Sequence, residues 1–294
     1  MDRADILVST DWLAQHLDDP NVRIVDCRYY FDGRVGREEY ERGHLPGAVY
    51  LDWSNELSEK ERPLAFKVAS AERLKRVMES IGVGDDTLLV GYDDEGGHFV
   101  SRVWLVLAAY GHADQVRILE GGIIKWQAEG RPLSTAPPGP RAATFTPREP
   151  VAEGAPQGYT RHLVTAEEVN CARTQPGTAI VDVRRWTEFT GEEARARRGG
   201  RIPGAIHIFW QDNLDWNGKR EFIPTDRIRE RYRAAGITPD QRVITYCQGA
   251  VRAAHSALAL KLAGYDNVQI YDGSWEEWGE RDDLPIETGE PPPQ

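Results

Sequence analysis

VITYCQGAVRAAHSALALKLAG, residues 243–264, joins a strand, a short loop and a helix. The β-branched run Val243–Tyr246 is typical of a buried strand, and the run Val251–Leu262 is typical of a helix that ends before Gly264. A strand that leads into a helix in this way belongs to a βαβ unit, whose strands are parallel. Because ligands bind at the carboxyl ends of parallel strands, the pattern places a candidate site at residues 247–252.

The same pattern occurs twice along the 294 residues. Four blocks of the first half recur in the same order in the second half: IVDCRYYFDG (24–33) as IVDVRRWTEFTG (180–191), GHLPGAVYLDW (43–53) as GRIPGAIHIFW (200–210), LLVGYDDEGG (88–97) as VITYCQGA (243–250), and LEGGIIKWQAEGRPL (119–133) as YDGSWEEWGERDDLPI (271–286). Four blocks at a nearly constant offset predict two copies of one domain.

We therefore predict an α/β fold of two tandem domains, each with a mostly parallel sheet and helices on both faces. The first domain is predicted over residues 1–137 and the second over 161–294. Residues 138–160 are predicted to be a linker, because the segment 134–158 is rich in proline, glycine and alanine.

The net charge of −11 argues against a nucleic-acid or membrane-surface partner. No apolar run approaches the roughly 20 residues of a membrane span, and the acidic N-terminus lacks the layout of a signal peptide. Three cysteines are too few for a disulfide framework, so a cytoplasmic location is expected. Any anionic substrate has to meet a local cluster of arginines, because the overall field repels it.

Cys247 is the first residue after the strand, and small residues and then Arg252 follow it. Successive backbone N–H groups of such a loop can converge on one point, where the helix dipole adds positive potential. A thiol held there beside an arginine is expected to be reactive, although a buried structural cysteine is the alternative. Cys27 and Cys171 have no such loop and are expected to be structural.

Asp93 occupies the position of Cys247 in the first copy, so the first domain is predicted to be catalytically silent. An alternative enzyme class is that of the cysteine phosphatases and arsenate reductases. Cysteine phosphatases need five residues between the cysteine and the arginine of the loop. Here four residues separate Cys247 from Arg252. This shorter loop favours a smaller terminal atom, such as a sulfur carried on the cysteine.

Several features occur together in this chain: the tandem arrangement, the DCR and DVR strand ends, the GHLPGA and GRIPGA turns, and the CQGAVR and DGSWEEWG segments. In these features the chain resembles the rhodanese family of sulfurtransferases over nearly its whole length. The resemblance implies that Cys247 takes a sulfur from a small anionic donor and passes it to cyanide or a thiol. It implies no metal or organic cofactor, and it leaves any protein acceptor unknown. The persulfide would be stabilised by the loop amides of Gln248, Gly249, Ala250, Val251 and Arg252.

Two arginines are candidates for contacts with the donor. Arg184 ends a predicted strand and matches a family arginine that contacts the donor, with a salt bridge to Asp182 as an equal alternative. Arg252 is expected to bind the donor or to stabilise the persulfide, with anchoring of the loop as the alternative.

The loop sequence bears on the donor. CQGAVR matches neither Cys-Arg-Lys-Gly-Val-Thr of thiosulfate enzymes nor Cys-Gly-Ser-Gly-Val-Thr of mercaptopyruvate enzymes. Gly249 stands where the second type has its serine, and Glu188 stands where that type has a donor-contacting arginine. Thiosulfate is therefore the preferred donor and 3-mercaptopyruvate the alternative. A persulfide carrier or regulatory module is the alternative outside enzymology.

Overall fold

The computed structural model of the chain describes residues 3–61, 64–148 and 162–291. The chain divides into two compact units. The first comprises Met1–Glu59, Val68–Thr160 and Leu214–Phe222, and the second comprises Lys60–Lys67, Arg161–Asn213 and Ile223–Gln294.

Residues 149–160 of the predicted linker, and residue 161 at the predicted start of the second domain, lie outside the described residues. The described part of the predicted linker packs on the first unit. Phe145 is fully buried, its carbonyl accepts a hydrogen bond from Lys75 Nζ (2.9 Å), and the carbonyl of Thr144 accepts one from the amide of Asp85 (3.0 Å).

Among the described residues, the first half of the chain forms seven strands and six α-helices. The strands are β1 (Leu7–Val8), β2 (Val22–Asp26), β3 (Val49–Tyr50), β4 (Ser58–Glu61), β5 (Leu64–Val68), β6 (Leu88–Tyr92) and β7 (Val116–Leu119). The helices are α1 (Thr10–Gln15), α2 (Gly36–Arg42), α3 (Trp53–Glu56), α4 (Ala71–Ser80), α5 (His98–Ala109) and α6 (Gly122–Ala128). Five strands form a sheet in the order β1-β7-β6-β2-β3, and β4 pairs with β5.

The second half repeats this architecture. Its strands are β8 (Leu163–Val164), β9 (Thr178–Asp182), β10 (Ile206–His207), β11 (Arg242–Tyr246) and β12 (Val268–Tyr271). Its helices are α7 (Ala166–Ala172), α8 (Trp186–Thr190), α9 (Thr225–Ala234), α10 (Val251–Leu262) and α11 (Ser274–Trp278). The sheet order is β10-β9-β11-β12-β8. Written from the opposite edge, as β8-β12-β11-β9-β10, it corresponds position by position to the order β1-β7-β6-β2-β3 of the first sheet.

Every pairing in the two five-stranded sheets is parallel, and helices flank both sheets, so the predicted fold class is confirmed. In the centre of each sheet the register matches: Asp26 pairs with Tyr92, and Asp182 pairs with Tyr246. The carboxyl ends of these central strands therefore form equivalent edges in the two units.

Helix α10 positions the predicted site. Its residues are buried all round except Arg252, which explains the lack of a polar stripe in its sequence. The helix ends as predicted at Gly264, whose φ of +84° lets Tyr265 N donate to the carbonyl of Leu260 (3.0 Å). No helix in the described ranges is long and apolar enough to cross a membrane.

Candidate active site

Cys247 lies directly after β11, at the carboxyl edge of the second sheet. Its side chain is buried, and the loop of residues 247–250 carries the chain into α10. Ala250, the last loop residue, has a φ of +60°, a left-handed conformation that costs an alanine about 1 kcal/mol. The strained residue turns the chain sharply enough for the helix to begin after only four loop residues.

The loop is held from the side by the start of α11. The amides of Trp275 and Glu276 donate to the carbonyls of Cys247 (3.0 Å) and Gln248 (2.9 Å). The Ser274 hydroxyl accepts hydrogen bonds from the amides of Cys247 and Ala250, both at 3.2 Å, and donates to a backbone carbonyl. The loop carbonyls are thereby directed outward to α11.

Sequence reasoning missed Ser274. The signal was present, because DGSWEEWG follows β12, and β12 lies beside β11 in the sheet. In the first copy the residue at this place is Gly122, where a Cβ atom would lie 2.0 Å from the carbonyl oxygen of Asp93. Trp275 and Trp278 are buried in the core of the second unit.

Several loop amides point to no acceptor. Within the described part of the chain, the amides of Gln248, Gly249, Val251 and Arg252 have no hydrogen-bond partner. The side-chain amide of Gln248 donates to the carbonyl of Arg195 (3.0 Å), and its buried Oε1 has no partner among the described residues. Together with the start of α10, these N–H groups provide positive potential beside Cys247.

The first unit shows what such a loop accepts. The Asp93 carboxylate receives hydrogen bonds from four amides: Glu95 (2.9 Å) and Gly97 (2.8 Å) at Oδ1, and Phe99 (2.8 Å) and Val100 (3.2 Å) at Oδ2. Burial raises the pKa of Asp93 to about 6, although the hydrogen bonds from the amides lower it. The carboxylate is therefore ionised at neutral pH. The corresponding loop of the first unit thus holds an anion that belongs to its own chain.

Arg252 lies at the other end of the loop and is paired with Glu188. Its Nη1 and Nη2 donate to the two carboxylate oxygens of Glu188 at 2.8 and 3.0 Å. Burial disfavours the charged guanidinium, but the hydrogen bond to Glu188 and the neighbouring charge of Cys247 raise the pKa of Arg252 overall. The arginine is therefore both anchored by Glu188 and close enough to Cys247 to interact with its charge.

Arg184 forms the salt bridge to Asp182 that was the alternative to contact with the donor. It is 1% exposed, and its Nε and Nη2 donate to Asp182, with Nη2 also bonded to the carbonyl of Gly200 (2.6 Å). The guanidinium lies over the Trp275 ring, 4.6 Å from its centroid. The role of Arg184 in donor binding stays a prediction.

The other two cysteines are placed differently. Burial, and then the nearby carboxylates of Asp93 and Asp26, raise the pKa of Cys27 well above its ordinary value, which disfavours a thiolate there. Cys171 is exposed on α7. No cluster of three or more His, Cys, Asp or Glu side chains suited to a metal occurs in residues 3–61, 64–148 or 162–291.

The fold and the site define a class of protein: tandem α/β domains with parallel sheets, one of which carries a buried cysteine in a loop lined with amides. The rhodanese-like domain family matches residues 9–129 and 165–281. The chain belongs to this family and is a sulfurtransferase.

Three relatives illustrate the range of the family. The chain is 34% identical to the sulfur carrier protein TtuD of Thermus thermophilus, over 97% of this chain and 98% of that protein. It is 34% identical to a thiosulfate sulfurtransferase of Corynebacterium glutamicum, over 97% and 91% of the two chains. The crystal structure of SseA from Escherichia coli, described as a 3-mercaptopyruvate sulfotransferase, superposes with a TM-score of 0.79 at 30% identity, over 92% of this chain and 98% of that one.

Proposed function

We propose that the protein moves the outer sulfur of thiosulfate to cyanide or to a small thiol, with the sulfur carried on Cys247. The observation that supports this most strongly is the comparison of the two loops. In the first unit the amides bind the carboxylate of Asp93, and in the second unit Cys247 begins a loop whose amides at Gln248, Gly249 and Val251 have no partner among the described residues. A terminal persulfide anion on Cys247 would supply the missing acceptor.

The proposed reaction is balanced without an oxidant or reductant. The Cys247 thiol first loses its proton to solvent. The thiolate attacks the outer sulfur of thiosulfate, a new S–S bond forms, and the old S–S bond breaks as its electron pair leaves with sulfite. Cyanide then attacks the terminal sulfur, a C–S bond forms, and the electron pair of the breaking S–S bond restores the thiolate as thiocyanate leaves.

Arginines near the loop offset the acidic charge of the chain. Arg185 and Arg195 are about half exposed, and each forms an ion pair with Glu188, at 3.1 and 3.7 Å. We assign attraction of the donor to these two residues and to Arg252, whose side chain is 13% exposed. Arg184 is left out because it is 1% exposed and donates to Asp182 and Gly200.

The alternative donor is 3-mercaptopyruvate, in line with the similarity to SseA. Two features of the site disfavour it. Gly249 supplies no hydroxyl, and a Cβ atom there would lie 3.2 Å from Phe66 Cδ2 and 3.3 Å from Glu276 Oε2. Glu188 places a carboxylate where a donor carboxylate would need a cation.

Intact-mass spectrometry tests the proposal. The purified protein is incubated with thiosulfate or with 3-mercaptopyruvate, and cyanide is added afterwards. We expect a gain of about 32 Da, one sulfur atom, that cyanide removes and that Cys247→Ser lacks. Cys171→Ser is the matched control, since it removes an exposed thiol and should leave the gain intact.

The outcomes separate the alternatives. Faster loading from thiosulfate supports the proposal. Faster loading from 3-mercaptopyruvate would identify that compound, and not thiosulfate, as the preferred donor. Loading that neither cyanide nor a small thiol reverses indicates a persulfide carrier; the relative TtuD is named a sulfur carrier protein. No gain from either donor contradicts the proposal.

A further inference from the structure

Glu188 is a buried carboxylate in a site that has to attract anions. Its side chain is fully buried, it accepts hydrogen bonds from Arg252 at 2.8 and 3.0 Å and from Arg185 at 3.1 Å, and Arg195 lies 3.7 Å away. Three guanidinium groups therefore surround one negative charge at the end of the candidate catalytic loop.

The carboxylate is a permanent charge. Burial opposes ionisation, but the hydrogen bonds and charge of Arg252, with the charge of Arg184, lower the pKa of Glu188 to about 2. No ordinary assay pH neutralises it. The Arg252 pairing is bidentate, which is also the geometry by which an arginine binds the carboxylate of a ligand.

We propose that Glu188 determines the specificity for the sulfur donor: it occupies the two N–H groups of Arg252 that would otherwise chelate a donor carboxylate, and so selects against α-keto-carboxylate donors. This inference rests on the proposed function, because it concerns the donor that loads Cys247. A thiosulfate ion does not need that edge of Arg252, since its outer sulfur enters the loop of amides. Its sulfonate oxygens would be attracted by the half-exposed Arg195, whose side chain lies 3.7 Å from Glu188 and makes no hydrogen bond within the described residues.

The test compares kcat/KM for 3-mercaptopyruvate and thiosulfate in the wild-type protein, in Glu188→Gln and in Glu193→Gln. Glu193 is the matched control because it also pairs with Arg185, whereas the guanidinium of Arg252 pairs with Glu188. In Glu188→Gln we expect the preference for 3-mercaptopyruvate over thiosulfate to rise about tenfold, the value of one charge-assisted hydrogen bond. In Glu193→Gln the ratio should stay within about twofold, as for a partly exposed ion pair.

An unchanged ratio in Glu188→Gln, with both donors slowed alike, overturns the inference and leaves Glu188 as a residue that only positions Arg252. A second measurement needs no variant and covers the case in which Glu188→Gln does not fold. The loading of the wild-type protein by thiosulfate is measured in the presence of increasing concentrations of sulfate or of pyruvate as inhibitors. Sulfate should inhibit at the lower concentration, and equal or stronger inhibition by pyruvate overturns the inference.

Failure of this inference is distinguishable from failure of the proposed function. A wild-type protein that gains no sulfur on Cys247 from either donor contradicts the proposed function itself. A wild-type protein that loads normally, while the donor ratio does not respond to Glu188→Gln, contradicts the role of Glu188 alone.

Discussion

Arg184 and Asp182 form a buried salt bridge (2.6 Å) that the first unit reproduces with Arg28 and Asp26 (2.7 Å). In each unit the aspartate ends a central strand and also accepts a hydrogen bond from a tyrosine hydroxyl at 2.6 Å. Because the pair recurs in the unit that has Asp93 at the position of Cys247, its common role is to hold the carboxyl ends of two neighbouring strands together.

Replacing either arginine should therefore destabilise its unit. Arg184→Ala leaves the Asp182 carboxylate buried and unpaired, which costs about 3 kcal/mol and lowers Tm by several degrees. Arg28→Ala is the matched control and should lower Tm by a comparable amount, as measured by calorimetry. An Arg184→Ala protein with unchanged Tm and a raised KM for thiosulfate would instead assign Arg184 to the donor.

The Ser274 hydroxyl positions the loop by accepting hydrogen bonds from the amides of Cys247 and Ala250. Ser274→Ala leaves these two buried amides without their acceptor, so we expect kcat/KM for thiosulfate to fall about tenfold or more. Ser274→Gly removes the same hydroxyl but suits the φ of +51° at this position. The two variants should lose equal activity while the glycine variant has the higher Tm. Full activity in both would show that the hydroxyl does not organise the loop.

Asp93 should make the stability of the first unit depend on pH. Its pKa in the folded protein, about 6, lies above its ordinary value of 3.8, so the folded state binds the proton more tightly. The resulting stabilisation is complete below about pH 4 and is lost as the pH rises through 6, a change of about 3 kcal/mol. Asp93→Asn removes this contribution.

The comparison is made by urea unfolding of the wild-type and Asp93→Asn proteins between pH 4 and pH 7.5. The variant should gain stability relative to the wild type as the pH rises. Parallel stability profiles for the two proteins would rule out a raised pKa at Asp93.

A Cβ atom at Gly249 would be in tight contact with the side chains of Phe66 and Glu276. Gly249→Ser should cost about 1 kcal/mol of stability through crowding and should not create activity with 3-mercaptopyruvate. Gly249→Ala separates the two effects, because it adds the Cβ atom without the hydroxyl and should be destabilised equally. A serine variant that gains 3-mercaptopyruvate turnover over the alanine variant would show that the missing hydroxyl had limited this activity.

The alternation of strands and helices, the doubling of the domain and the place of Cys247 directly after a strand could all be predicted from the printed chain. These features rest on short-range patterns: buried strands with β-branched residues, a helix closed by Gly264, and blocks that recur at a nearly constant offset. Such patterns are local, so the rest of the molecule does not have to be known before they are interpreted.

The partners of the loop were decided by the tertiary structure. Ser274 lies 27 residues after Cys247 in the chain, and Glu188 lies 64 residues before Arg252, yet both pairs are in hydrogen-bond contact. Parallel strands bring loops that are distant in sequence to one edge of a sheet, and no periodicity within a segment encodes which side chains then meet. For the same reason the two alternatives for Arg184 were equal in the sequence, and only the packed strand ends show its carboxylate partner.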